Sequence, residues 1–161
     1  MKNWTRRLCV FMTVCLLMTL LPISTFAASK KDNQYTDQYG TWIYQEEEDG
    51  TITIIGCENT EKNIVVPARI NGKPVRKLGA RAFKNNDTIT AVVIPYGVET
   101  IEAQVFFGCS KLERVDLPTS VTTIEDKAFS KCESLGELYI PSSVEELGQH
   151  VFKDSPNVDV H

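Results

Sequence analysis

Few residues in this 161-residue chain could do chemistry, and their spacing does not favour it. A nucleophilic triad needs a histidine held between a carboxylate and a hydroxyl. Only His150 and His161 are available, and His161 is terminal. His150 occupies a position that Gln104 and Lys127 fill at a regular step, so it reads as a solvated residue. No two cysteines have the C-x-x-C spacing of a metal site, and no Gly-rich phosphate loop occurs. Glu46-Glu47-Glu48-Asp49 could hold calcium weakly, but next to Gly50 it reads as the solvated tip of a turn. No catalytic residue, metal or cofactor is therefore expected.

The remaining candidates are surface residues, and the elements that must position them come from an internal repeat. Phe83, Phe106, Phe129 and Phe152 recur at a step of 23 residues. Leu78, Ile101, Ile124 and Leu147 keep the same step, as do Ile89, Leu112, Leu135 and Val158, and Pro95, Pro118 and Pro141. Pro67 lies 28 residues before Pro95, so the first unit carries five extra residues around Asn71-Gly72, a turn signal. One unit of this size cannot enclose a core, whereas stacked units bury their equivalent apolar residues against each other. Val92-Val93-Ile94, Val115-Asp116-Leu117 and Leu138-Tyr139-Ile140 each read as a short strand, outer residues inward and middle residue outward. The proline that follows ends the strand. Ala128-Phe129-Ser130-Lys131-Cys132 reads as a tight turn or a single helical turn that inserts Phe129 into the core.

The stretch from Val115 to Leu135, with Val-Asp-Leu-Pro, Ser-Val, Ala-Phe, Cys and Leu in order, resembles the BspA-like leucine-rich repeat. The resemblance covers about residues 63–159. Gly79 and Gly148 keep the pattern's glycine, which Glu102 and Glu125 replace; Asn86 and Ser155 replace its cysteine. It implies a leucine-rich repeat solenoid, mostly β with short turns, whose parallel strand ladder has about four rungs: 63–90, 91–113, 114–136 and 137–159. It further implies an extracellular, often surface-attached protein acting in adhesion and host contact, with no catalytic residues to carry over. Ahead of the rungs, Trp42-Ile43-Tyr44 and Thr51-Ile52-Thr53-Ile54 flank Asp49-Gly50 and read as a hairpin capping the first rung.

Outward strand positions then form a candidate binding face: Val93, Asp116 and Tyr139, flanked by Arg114 and Glu137. Tyr96 joins them as an aromatic where other units have Thr119 and Ser142. Phe107 stands where Lys84, Ser130 and Lys153 stand elsewhere, so it is expected to be exposed on the opposite, turn edge. Exposed aromatics on a rigid face are typical interaction anchors, although scattered apolar residues also occur on any surface.

Residues 1–27 read as a secretory signal peptide: Lys2, Arg6 and Arg7, an apolar run from Leu8 to Leu21, Pro22, and small residues before a cut after Ala27. Residues 28–40 read as a flexible leader and 41–161 as the repeat domain with its hairpin cap. No integral membrane segment is expected after cleavage. Taking Lys2, Arg6 and Arg7 from the 17 basic residues leaves 14 against 21 acidic ones, a net charge of −7. Such a chain repels phosphate backbones, so nucleic acid is not an expected partner. Cys57, Cys109 and Cys132 remain after cleavage, an odd count that argues against a disulfide framework. Cys109 and Cys132 would sit on adjacent rungs within disulfide range, but pointing in parallel, so free buried thiols are favoured over a bridge. The function expected is a secreted or cell-surface adhesion module that contacts an extracellular protein or glycan, host-derived ones included. The alternative is a structural spacer without a specific ligand.

Overall fold

The computed structural model describes residues 33–58 and 61–161; the signal-peptide expectation at residues 1–27 lies outside them. Thirteen strands follow in order: β1 (Asn33–Asp37), β2 (Gly40–Glu46), β3 (Ile52–Glu58), β4 (Asn63–Val65), β5 (Arg69–Ile70), β6 (Lys73–Leu78), β7 (Ala91–Val93), β8 (Thr100–Ile101), β9 (Arg114–Asp116), β10 (Thr123–Ile124), β11 (Glu137–Leu138), β12 (Glu146–Leu147) and β13 (Asp159–Val160). They wind into a β-solenoid of about five turns, one more than the four units counted in the sequence, and the described residues contain no helix. The Phe-bearing segments are turns, which settles the choice between a turn and a helical turn.

The expected strand ladder is present but interrupted. β4, β7 and β9 pair in parallel, with Ile64, Val92 and Val115 in register, while β11 pairs only with β13. The continuous ladder runs on the other side of the rung. There β6, β8, β10 and β12 pair in parallel through Leu78, Ile101, Ile124 and Leu147, each 23 residues after the last. Two-residue strands are too short for a visible alternating pattern, so this ladder was recognisable only as a column of apolar residues.

The cap is built into the same sheet. β2 and β3 form the expected antiparallel hairpin, and β3 pairs in parallel with β6, so the hairpin ends the solenoid by extending its longer ladder. Asp49 holds the turn by accepting from the Thr51 amide at 2.9 Å and hydroxyl at 2.7 Å. β1 then pairs antiparallel with β2 along its whole length. Asn33–Asp37, expected to belong to a flexible leader, is thus an ordered edge strand; its polar residues alternate between half-buried and exposed, as an edge allows. The insertion of the first unit is a hairpin too. β5 and β6 pair antiparallel across Asn71 (φ 51°) and Gly72 (φ 79°), both left-handed as a two-residue hairpin turn requires. Asn71 donates to the Tyr44 hydroxyl at 3.0 Å and Lys73 pairs with Glu46, tying the insertion to the cap.

The core is a stack of equivalent side chains. The rings of Phe83, Phe106, Phe129 and Phe152 lie nearly parallel, with centroids 5.2, 5.3 and 5.9 Å apart along the column. Trp42 of the cap closes the column with an edge-to-face contact on Phe83 at 6.3 Å and 82°. Its indole N–H is buried without a partner, so packing rather than hydrogen bonding places this ring. Each Phe turn is also entered and left through left-handed backbone. Arg81, Gln104, Lys127 and His150 have φ between 57° and 66°, and Asn85, Lys131 and Asp154 between 57° and 60°, with Gly108 at 74°. That conformation costs about 1–2 kcal/mol per non-glycine residue. It turns the amides toward the next rung: Arg81 N–H donates to Ala103 O at 3.1 Å, Lys127 to Gln149 O at 3.0 Å and Lys131 to Lys153 O at 2.9 Å.

The remaining column, Asn86, Cys109, Cys132 and Ser155, has a specific task. Cys109 Sγ donates to Phe83 O at 3.0 Å, Cys132 Sγ to Phe106 O at 3.1 Å and Ser155 Oγ to Phe129 O at 2.7 Å. Each side chain thus ties the Phe carbonyl of the preceding rung to its own; the Phe83 and Phe106 carbonyls also accept the Asn86 and Cys109 amides, at 3.0 and 3.1 Å. Both cysteines are free thiols, and burial pushes each up to about 12.

Two measurements test this packing. Phe129 is fully buried between two rungs and Phe152 is half-buried, so Phe129→Ala should cost about 3–5 kcal/mol in equilibrium denaturation and Phe152→Ala clearly less; the reverse order would contradict the stack. Thiol titration at neutral pH should find Cys109 and Cys132 unreactive in the native chain and reactive in denaturant without reductant. Because folding favours their neutral form, the stability they confer is complete below about pH 9 and declines as pH rises toward 12.

Candidate functional site

The candidate site lies where the strand ladder is interrupted. Between β9 and β11 no strand pairing forms, although Gly136 N–H donates to Glu113 O at 3.2 Å, and over the two strands lies a cleft of about 380 Å³ lined by Glu113, Arg114, Val115, Asp116, Glu137 and Tyr139. The rung geometry explains who faces it. Val115 and Leu138 are buried in the core, which turns their strand neighbours Arg114, Asp116, Glu137 and Tyr139 outward.

Arg114 and Glu137 share a column, but Arg114 does not pair with Glu137. Its guanidinium engages Asp116 on its own strand with two hydrogen bonds, Nε to Oδ1 at 2.7 Å and Nη2 to Oδ2 at 3.0 Å. The Asp116 carboxylate raises the Arg114 pKa further above its ordinary value, first through these bonds and then through its charge. Both side chains are well exposed, so the pair orients more than it stabilises. Three carboxylates against one guanidinium leave the cleft acidic. Tyr139 is 64 % exposed, and one face of its ring stacks on His161 at a centroid distance of 5.1 Å. That contact comes from a slip in the last rung. β11 pairs with β13 through Glu137–Asp159 and Leu138–Val160, one residue short of the 23-residue step, which brings His161 opposite Tyr139.

The structure therefore gathers Arg114, Asp116, Glu137 and Tyr139 around one cleft and adds Glu113. Val93 is register partner to Asp116 on the neighbouring strand and borders the site without lining it. Tyr96 is 78 % exposed on the turn after β7 and stands apart. Phe107 differs from its expectation. It is half-buried, with the ammonium groups of Lys84 and Lys131 over its ring at 5.1 and 5.4 Å from the centroid.

A second cleft, of about 540 Å³, was not anticipated. Thr123, Glu125, Asp126, Glu145, Glu146 and Leu147 line it at the free edge of the longer ladder. Leu147 belongs to the column of Leu78, Ile101 and Ile124, each 0 % exposed, yet is itself 55 % exposed because no described strand pairs beyond β12. Its place in an apolar column masked it. Among the described residues no cluster of His, Cys, Asp and Glu could hold a metal, and no helix is long and apolar enough to cross a membrane.

The sequence model of the BspA type leucine-rich repeat region matches residues 56–159 in six copies. A leucine-rich repeat protein from Bacteroides capillosus is similar in structure, with a TM-score of 0.69 and 26 % identity over 80 % of this chain and 98 % of its own. The leucine-rich repeat protein of T. pallidum gives a TM-score of 0.65 and 25 % identity over 80 % and 71 % of the two chains. One from Bacteroides ovatus, 23 % identical over 78 % and 40 %, has a TM-score of 0.61 and shares the fold. Comparison with curated protein sequences finds no match.

Chemical labelling checks the exposures. Nitration with tetranitromethane, read by peptide mass spectrometry, should modify Tyr96 and Tyr139 in the native chain and spare Tyr44, which is 3 % exposed.

Proposed function

We infer that this chain, which belongs to the BspA-type leucine-rich repeat family, is a binding module that contacts an extracellular protein or glycan through its β9–β11 cleft. The fold is one typical of bacterial surface proteins that bind partners. One observation carries the choice of cleft. The strand ladder is interrupted between β9 and β11, and there the outward Tyr139 stands exposed beside an oriented Arg114–Asp116 pair. Tyrosine brings a large ring with a polar tip and few rotatable bonds, so little conformational entropy is lost on contact. The flanking rungs hold the site in place through core packing, not through the ligand. Glu113, Asp116 and Glu137 favour a neutral or basic partner, with faster association at low salt. Secretion in this reading follows from the basic and apolar leader of residues 1–27, and the role is binding rather than catalysis.

The test is a screen of the purified chain against arrays of extracellular-matrix proteins, mucins and uncharged glycans, followed by variants against any ligand found. Tyr139→Ala should weaken binding by about 2 kcal/mol or more, and Asp116→Asn should weaken it by releasing Arg114. Phe107→Ser should leave it unchanged, all variants being checked for an unaltered melting temperature. Loss in Phe107→Ser alone would move the site to the turn edge. Equal binding by all three variants would rule out the β9–β11 cleft as the site, and the absence of any ligand on the arrays would leave the spacer alternative.

A further inference from the structure

We propose that the β9–β11 cleft takes an uncharged glycan, a short stretch of neutral sugar rings, as its ligand. This ligand class rests on the cleft being the binding site. A sugar ring has faces of C–H groups and an edge of hydroxyls, each of which both donates and accepts. A site for it therefore needs an open aromatic face beside polar groups that donate and accept together. The cleft offers both within about 380 Å³. The aromatic face is that of Tyr139, which is 64 % exposed. His161 stacks on one side of the ring at 5.1 Å. Tyr139 lines the cleft and His161 does not, so the ring turns its uncovered side toward the cleft. Backbone bonds from Ile140 N–H to His161 O at 3.0 Å and from His161 N–H to Leu138 O at 3.2 Å bracket Tyr139, so its backbone is fixed without a ligand.

The polar group is the Arg114–Asp116 pair. A guanidinium has five N–H donors; Asp116 takes one from Nε and one from Nη2, which leaves three. Each Asp116 oxygen accepts one of those bonds and keeps a lone pair for another donor. Free donors and free acceptors thus lie side by side on one pair, as two neighbouring sugar hydroxyls require. The pair forms without the ligand, so little ordering remains to be done on binding. The carboxylates of Glu113 and Glu137 also line the cleft, and among the described residues neither is held by a hydrogen bond or an ion pair. Three carboxylates and one guanidinium give the cleft a charge of −3 + 1 = −2. That charge repels sulfated, sialylated and uronic glycans and leaves neutral ones unhindered.

A protein partner fits the same surface less well. A specific protein interface buries about 800 Å² on each side, around an apolar centre depleted of charged residues. Here Arg114, Asp116 and Glu137 stand at the centre. Among the outward side chains of β7, β9 and β11, only Val93, 39 % exposed, adds a large apolar surface to that of Tyr139. A basic peptide would draw on the carboxylates, but attraction between exposed charges is weak and screened by salt. A neutral sugar stacked on Tyr139 is indifferent to salt, and this difference separates the two.

The probes are fluorescently labelled neutral oligosaccharides of glucose, mannose, galactose and N-acetylglucosamine, titrated with the purified full chain and read by anisotropy. Saturable binding of at least one is expected, with a Kd that changes less than about twofold between roughly 50 and 500 mM NaCl. A sialylated form of the same oligosaccharide should bind more weakly. Tyr139→Ala should weaken binding by about tenfold or more. Arg114→Lys keeps the charge but loses the planar fork, and should weaken it about tenfold as well. Tyr96→Ala, at an exposed tyrosine outside the cleft, should bind as the parent chain does. All three side chains are exposed, so the melting temperatures should match. No binding of any neutral oligosaccharide, or unaltered binding in both Tyr139→Ala and Arg114→Lys, would overturn the proposal. So would tighter binding of an oligolysine peptide than of any neutral sugar, or a loss in Tyr96→Ala equal to that in Tyr139→Ala. If an extracellular-matrix protein binds and Tyr139→Ala weakens it while no neutral sugar binds, the cleft stands as the site and only its ligand class falls.

Discussion

The rest of the structure depends on the stacking of one phenylalanine per rung. Rings 5.2 to 5.9 Å apart and nearly parallel require the rungs that carry them to repeat closely in path and length. Such a pair adds about 0.5–1.5 kcal/mol beyond the burial of its surface. The demand for equal paths then propagates. The backbone reverses at the same places in each rung, through left-handed residues on both sides of the ring. The Phe carbonyl of one rung also accepts a bond from the next, donated by Cys109, Cys132 and Ser155.

Two consequences reach the surface. Identical turns align side chains that are distant in the sequence, which is how cations from Arg81 to Lys153 and carboxylates from Asp87 to Asp154 come to share one edge. Where repetition fails, the surface opens. The ladder breaks between β9 and β11, and the last rung slips by one residue. The β9–β11 cleft lies at the first of these departures, and its Tyr139 meets His161 because of the second. In a repeat protein, regular rungs supply rigidity and irregular ones supply individual sites.

Column position explains the exposure of most residues, and the exceptions are instructive. Leu147 follows its column in type but not in burial, because burial in a solenoid requires a neighbour on each side. Phe107 follows the opposite course: its column is polar, yet the residue is half-buried, with the ammonium groups of lysines from both neighbouring rungs over its ring. Neither outcome is encoded at the position itself.

By itself, the sequence determined the repeat, its 23-residue step, the inward Phe column, the alternation that turns Asp116 and Tyr139 outward, and the Asn71-Gly72 turn. Periodicity is legible in one dimension because each rung meets only its neighbours, so equal spacing in sequence becomes equal position in space. The tertiary structure decided what periodicity does not carry. It paired Asn33–Asp37 into the cap sheet, made the two-residue strands β8, β10 and β12 into the longer ladder, and broke the shorter one at β9. It gave Asp116, not Glu137, to Arg114. It placed left-handed backbone at Arg81, Lys127 and Lys131, where no glycine announces it. These are choices between partners of similar local merit, and each is settled by hydrogen bonds and packing across rungs that exist only once the chain has wound.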